Sequence, residues 1–186
     1  RAHPEQKITT LDKQVRTLTA DDLLIWDSAN PIALAGVMGG AHSEITSTSR
    51  DLILESAVFD APTVRKTGRR LGLSSESAYR FERGVDQPGS AFALDRAASL
   101  VNALAGGRIL RSQVRAEPRP WQSPALPFRL QKAQDVLALD VDAAFCRRTL
   151  GNLGCQIHEG DGRWEVTPPS YRLDLEREVD LIEEIG

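Results

Sequence analysis

Aromatic residues are scarce in this 186-residue chain, at 5% of the composition. Its core must therefore rest on Leu, Val, Ile and Ala. Histidine is scarcer still. His3, His42 and His158 are the full set, at spacings that suit no metal finger. The only cysteines are Cys146 and Cys155, too few for a disulfide framework, and they read as two reduced, semi-buried thiols. No apolar run approaches the roughly 20 residues that span a bilayer. No signal-peptide pattern opens the chain. A net charge of -3 excludes a histone-like basic protein. Hydrophobic residues at 41% and charged residues at 26% fit a globular composition rather than disorder. The length allows one ordinary domain or two small ones. The chain starts at Arg1 and stops at Gly186 directly after an acidic run, which reads as a piece of something longer.

Residues 7–37 read as short strands. Pro31-Ile-Ala-Leu-Ala-Gly-Val-Met-Gly-Gly40 is an apolar run closed by glycines, as for a buried strand entering a tight turn. Leu52-Ile-Leu-Glu-Ser-Ala-Val-Phe59 reads as a second buried strand. A helix is expected from Pro62 to Gly72, and a short one capped by Ser74 and closed by Gly84. A third runs from Pro88 to Gly106, with apolar residues three and four apart.

Prolines 118, 120, 124 and 127 mark residues 116–127 as a linker. A smaller unit follows. Residues 129–138 and 141–153 are expected to be helical. Glu159-Gly-Asp161-Gly162 separates two strand patterns as a hairpin turn. Asp174 to Ile185 is expected to be helical again. Helix, helix, hairpin is a winged-helix-like order.

Four features can carry chemistry. Gly36-Val-Met-Gly39-Gly40 lets backbone N–H groups approach a ligand, or simply makes a turn. Glu55, inside an apolar run, lies on a solvated face or in a pocket, and a buried carboxylate is costly unless paired. Arg65, Lys66, Arg69 and Arg70, with Arg80 and Arg83 beyond, form a basic stripe that can meet phosphates or only water. No aromatic interleaving is read there to support base stacking. Asp180, Glu183 and Glu184 share one helix face, and such oxygen ligands suit magnesium as well as a charged surface. The small module's second helix offers only Arg147 and Arg148, which is thin for a DNA reader.

Taken in order, these segments resemble the beta subunit of bacterial phenylalanyl-tRNA synthetase. The resemblance rests on Ala33-Leu-Ala-Gly-Val-Met-Gly-Gly-Ala-His-Ser43, Leu54-Glu-Ser-Ala-Val-Phe59 and the stretch from Arg69 to Asp86. Leu150-Gly-Asn-Leu-Gly-Cys155 and Pro168-Pro-Ser-Tyr-Arg-Leu-Asp-Leu175 extend it over nearly the whole chain. It implies an α+β fold: part of a mixed-sheet editing domain, then a small winged-helix-like module. The expected bounds are 1–115 for the editing part, 116–127 for the linker, 128–173 for the winged-helix-like domain and 174–186 for the start of a catalytic-like core.

The family joins phenylalanine to its tRNA with ATP and magnesium, and its editing domain hydrolyses mischarged tyrosyl-tRNA. By resemblance, Glu55 is the acceptor for the tyrosine hydroxyl, Gly36 a backbone donor beside it, and Gly39, Ser75 and Ser77 further pocket positions. No side chain here is expected to be catalytic; backbone groups and the terminal ribose would position the water. Arg65, Lys66, Arg69 and Arg70 become candidates for tRNA contact. Asp174, Asp180, Glu183 and Glu184 match ligands of a magnesium ion shared with the alpha subunit. The implied partners are that subunit, in a heterotetramer of two alpha and two beta chains, and tRNA(Phe), in the cytoplasm, with neither membrane nor DNA. Ser77 stands where many relatives have Ala, and the family's pocket histidine has no counterpart after Arg1. The alternatives are a non-catalytic docking module for tRNA or a subunit and, behind it, a DNA-binding winged helix.

Overall fold

The structure is a computed structural model that describes residues 1–111, 113–160 and 162–186. Six α-helices and three small antiparallel sheets occur among the described residues, so the fold is α+β as expected. The chain forms two compact units. One comprises Arg1–Val85 with Ser90–Gly106, and the other Asp86–Gly89 with Gly107–Gly186.

In the first unit, β1 (Lys7–Thr9) pairs antiparallel with β2 (Val15–Thr17). A second sheet runs β3 (Leu24–Trp26), β4 (Pro31–Leu34), β5 (Met38–Gly39), with Leu24 opposite Leu34 and Leu34 opposite Met38. Helix α1 (Ala61–Leu71) starts where Asp60 accepts a hydrogen bond from the Thr63 amide and Pro62 needs no partner for its nitrogen. It stops at Gly72, whose φ of 65° lets the Leu73 amide turn back to the Gly68 carbonyl at 2.8 Å. Ile8, Leu18, Leu24, Leu34, Val37, Val64, Leu73 and Ala78 form the core. Asp22 is buried in it, satisfied by Thr67 at 2.8 Å, Arg70 and the Thr19 amide. Such pairing is what allows a carboxylate to stay inside.

Helix α2 (Glu76–Phe81) is capped by Ser75, not by Ser74 as expected. The Ser75 backbone is extended and its Oγ accepts from the Ala78 amide at 3.0 Å. Helix α3 (Gly89–Ala105) follows the expected span, with none of its residues buried. The Leu52–Phe59 stretch is not the buried strand its composition implies. No backbone–backbone hydrogen bond joins residues 51–59 to a partner among the described residues. Ile53 is 99% exposed. Apolar composition cannot make a strand without a ladder to join.

In the second unit, β6 (Leu126–Phe128) pairs with β8 (Arg163–Thr167), which pairs with β7 (Gln156–Gly160). Leu126 and Pro127, read as the end of a linker, thus lie in a strand. Pro127 fits because β6 is an edge strand and Pro cannot donate to a ladder. Asp161, read as part of the hairpin turn, lies outside the described residues. Helix α4 (Leu130–Leu137) and helix α5 (Ala143–Asn152) precede the hairpin; Asp142 caps α5 by accepting from the Phe145 amide. The core gathers Phe128, Cys146, Leu150, Val166, Leu181 and Ile182. The Phe128 and Trp164 ring centroids are 5.2 Å apart.

Helix α6 (Glu178–Glu183) is shorter than the expected run from Asp174. Its start is fixed by Asp180, whose carboxylate accepts from the Glu176 and Arg177 amides at 3.1 and 2.7 Å. That turns the preceding residues out of the helix. Glu178 is buried at the start of α6 and takes Arg129 and Lys132 at 2.7 and 2.8 Å. These pairs tie β6 and α4 to α6.

Candidate functional site

The glycine turn between β4 and β5 is the feature around which the pocket candidates can be located. The Val37 amide closes the turn on the Leu34 carbonyl at 2.9 Å. Gly36 has φ +70°, and a Cβ there would lie 2.9 Å from Phe59, 3.0 Å from Val64 and 3.3 Å from Phe81. Both conformation and space therefore demand glycine. The Phe59 and Phe81 rings meet edge to face with centroids 4.9 Å apart. Sequence reasoning did not single out this aromatic pair, although both residues sit inside the quoted motifs.

Ser75 and Ser77 join α2 to the same turn. Ser77 Oγ donates to the Gly36 carbonyl at 3.1 Å, and Ser75 Oγ donates to the Val37 carbonyl. The Ser75 oxygen thereby both caps α2 and holds the turn. Gly39 lies in β5, where its carbonyl accepts from the Leu11 amide at 3.0 Å and a Cβ would meet Leu11 at 3.1 Å. Gly36, Ser75 and Ser77 are thus brought together, with Gly39 at the end of the same hairpin.

Glu55 lies four residues before Phe59 in the extended stretch. No hydrogen bond or ion pair to its carboxylate is found among the described residues, and none links it to the glycine turn. Desolvation by surrounding protein atoms pushes its carboxyl above the usual value. The group keeps open surface while part of it is shielded from water.

The basic stripe divides in two. Lys66 pairs with Asp21 at 2.7 Å, and Arg70 pairs with buried Asp22. Arg65 donates only to the Glu82 carbonyl, at 2.8 Å, and Arg69 has no ion pair among the described residues. Both are exposed. The stripe also has an aromatic neighbour that sequence reading missed. The Arg83 guanidinium carbon stands 3.7 Å from the centroid of the Tyr79 ring. The signal was the i, i+4 spacing of Tyr79 and Arg83 on one helical turn.

The acidic run is held by arginines. Arg172 meets Asp174 at 2.6 Å and Glu184 at 2.5 Å. Its hydrogen bonds to Asp174, then Glu184, push the guanidinium further above its ordinary value, and the bond from Arg172 holds Asp174 below the carboxylate range. Asp180 is lowered chiefly by Arg177, 2.9 Å away, and serves the start of α6. Glu183 is exposed on that helix. No group of three or more His, Cys, Asp or Glu side chains is placed to hold a metal ion among the described residues. Among the described residues the four are not gathered into a magnesium site: Arg172 takes both oxygens of Asp174 and one of Glu184, Asp180 serves the start of α6, and Glu183 stands exposed.

Residues 1–106 match the B3/4 domain, and residues 126–186 match the tRNA synthetase B5 domain. The phenylalanine–tRNA ligase beta subunit of Oleidesulfovibrio alaskensis is 56% identical over 97% of this chain and 23% of its own length. That of Nitratidesulfovibrio vulgaris is 50% identical over 100% of this chain and 23% of its own. That of Geobacter sulfurreducens is 42% identical over 100% and 23%. The chain thus spans about a quarter of the length of these relatives. With its first 106 residues in one domain family, its last 61 in the other and nearly its whole length similar to part of these beta subunits, the chain belongs to the B3/4 domain family and carries a tRNA synthetase B5 domain after it.

Proposed function

We propose that this chain contributes to hydrolytic editing of mischarged tyrosyl-tRNA within a phenylalanine–tRNA ligase beta subunit. The reading is carried by the Gly36 turn, walled by Phe59 and Phe81 and tied to Ser75 and Ser77, beside a stretch that bears the partially desolvated Glu55. Tyrosine differs from phenylalanine by one hydroxyl. A carboxylate shielded on one side, and without a protein partner among the described residues, gains a hydrogen bond when tyrosine enters and keeps only water when phenylalanine does. Water then attacks the ester carbonyl, and no side chain of this chain is assigned as its base.

The whole enzyme would join phenylalanine to tRNA(Phe) using ATP and magnesium, in the cytoplasm, with an alpha subunit as partner. No residue here is assigned to ATP, and no step passes through a nucleotide or a metal.

The test is Glu55→Ala in the full-length ligase, with hydrolysis of tyrosyl- and phenylalanyl-tRNA measured side by side. A drop of about tenfold or more in the tyrosine preference is expected for loss of a hydrogen bond to a charged acceptor. An unchanged preference sinks the assigned role.

One observation favours a second reading, a non-catalytic docking module. Helix α3 buries none of its residues and exposes Phe92, Leu100 and Leu104, as a helix covered by another protein surface would. Ester hydrolysis by the 186-residue chain, lost on changing Glu55, would reject it. The DNA-reader alternative draws little from α5, where Arg147 faces Glu159 with bonds of 2.5 and 2.8 Å.

A further inference from the structure

Unpaired bases are held in proteins by stacking on aromatic rings or on guanidinium planes, beside cations that follow the phosphates. One face of the first unit combines these parts. Tyr79 is 57% exposed, and Arg83 lies over its ring with the guanidinium carbon 3.7 Å from the centroid. Arg83 is held there by its own bonds to the Tyr79 carbonyl and to Glu82, both at 2.7 Å. The stack is therefore formed before any ligand arrives.

Among the described residues, two cations of α1 are left without an ion pair. Arg65 and Arg69 are one turn apart on α1 and exposed, while Lys66 and Arg70 are taken by aspartates. Arg65 reaches across to the Glu82 carbonyl, the residue beside Arg83, and so places the α1 stripe against the end of α2. At the other end of that helix, the Tyr79 amide donates to the Ser75 carbonyl at 2.9 Å. Tyr79 thus stands one helical turn, about 5.4 Å, from the serine that grips the Val37 carbonyl of the glycine turn.

We propose that Tyr79 and Arg83, with Arg65 and Arg69, form a stacking platform for a single-stranded RNA end. This rests on the editing reading above and adds to it how the nucleic acid is held. Stacking selects an unpaired strand, since a duplex keeps its base faces covered. Arg65 and Arg69 neutralise phosphates of the same strand. Arg80 is less available, being paired with Glu76 at 2.6 Å.

The test measures anisotropy of a labelled single-stranded RNA octamer against the 186-residue chain, across a salt series, beside a duplex of the same sequence. The unaltered chain should prefer the single strand. Tyr79→Ala should weaken that binding about 5- to 150-fold, the range for losing one base–aromatic stack, and Tyr79→Phe should restore it. The double change Arg65→Gln with Arg69→Gln should flatten the slope of log affinity against log salt by about 0.7 for each phosphate that is no longer neutralised. Equal affinity for duplex and single strand overturns the platform, as does unchanged affinity in Tyr79→Ala or no binding at low salt. Should Tyr79→Ala fail to fold, Arg83→Gln with the double arginine change decides on the same readouts. If tyrosine preference survives Glu55→Ala while Tyr79→Ala loses RNA, the pocket reading fails and the platform stands.

Discussion

Ser77 donates its hydroxyl to the Gly36 carbonyl at 3.1 Å. At a position where the resemblance expects alanine, the extra oxygen therefore points at the protein backbone and stiffens the turn. Ser77→Ala should lower stability by about 1 kcal/mol, the net value of one such bond. Ser75→Ala should cost about 1–2 kcal/mol, because it removes a helix cap as well as a tether. Thermal unfolding of the two variants checks the order. Equal loss, or none, contradicts it.

Gly36→Ala should be more damaging than either serine change. It forces an L-residue to φ +70° and puts a methyl 2.9 Å from Phe59. Strain and overpacking of this kind cost on the order of 2–4 kcal/mol together. Urea unfolding should show it. A shortened Phe59 (Phe59→Leu) in the same chain should recover part of the loss, and failure to recover would place the cost in the backbone alone.

Glu178 gives the second unit an acid limit. Hydrogen bonds from Arg129, then from Lys132, hold its carboxyl down to about 2 against opposing desolvation. A depressed carboxylate stabilises the fold at pH values above its unfolded pKa. That stabilisation is lost as pH falls from about 4.5 toward about 2. The loss should be on the order of 2 kcal/mol, reduced from the full shift because both cations are partly solvated. Unfolding followed through Trp164 at stepped pH would show it, and Glu178→Gln should abolish most of that pH dependence. A flat profile for the unaltered chain rejects the assignment.

Magnesium should do little to this chain. Arg172 already supplies positive charge between Asp174 and Glu184. Millimolar magnesium should leave Tm unchanged, and manganese should not broaden the proton signals of Asp174 or Glu184 in a saturable way. Arg172→Gln should lower Tm by leaving two carboxylates facing each other, and a divalent cation should restore part of it. Saturable manganese binding by the unaltered chain would show that the arginine gives way.

What could be read from sequence was whatever local chemistry decides. Pro62 and Gly72 bracket α1, and the hairpin of β7 and β8 was legible from its alternating strands and glycines. The α+β class came with the family resemblance, and these elements agree with it. Context-dependent features were harder. Leu52–Phe59 has the composition of a core strand, yet strandedness belongs to a pair of segments. Strand β6 was hidden by Pro127, whose cost vanishes only at a sheet edge. At the site, glycine and serine positions were visible, but not the direction of the serine hydroxyls. The acidic run showed its carboxylates and not its arginines, because Arg172 approaches Glu184 from twelve residues away.

The stretch before α1 has one more consequence. Residues 51–59 are anchored by a side-chain bond from Ser56 to the Ser90 carbonyl at 2.8 Å, while their amides find no backbone acceptor among the described residues. Deuterium should therefore enter these amides early, since local opening there breaks almost nothing. A protease should find its first internal cut in the same place. The segment that hydropathy ranks with the interior is thus the one that solvent and enzymes reach first.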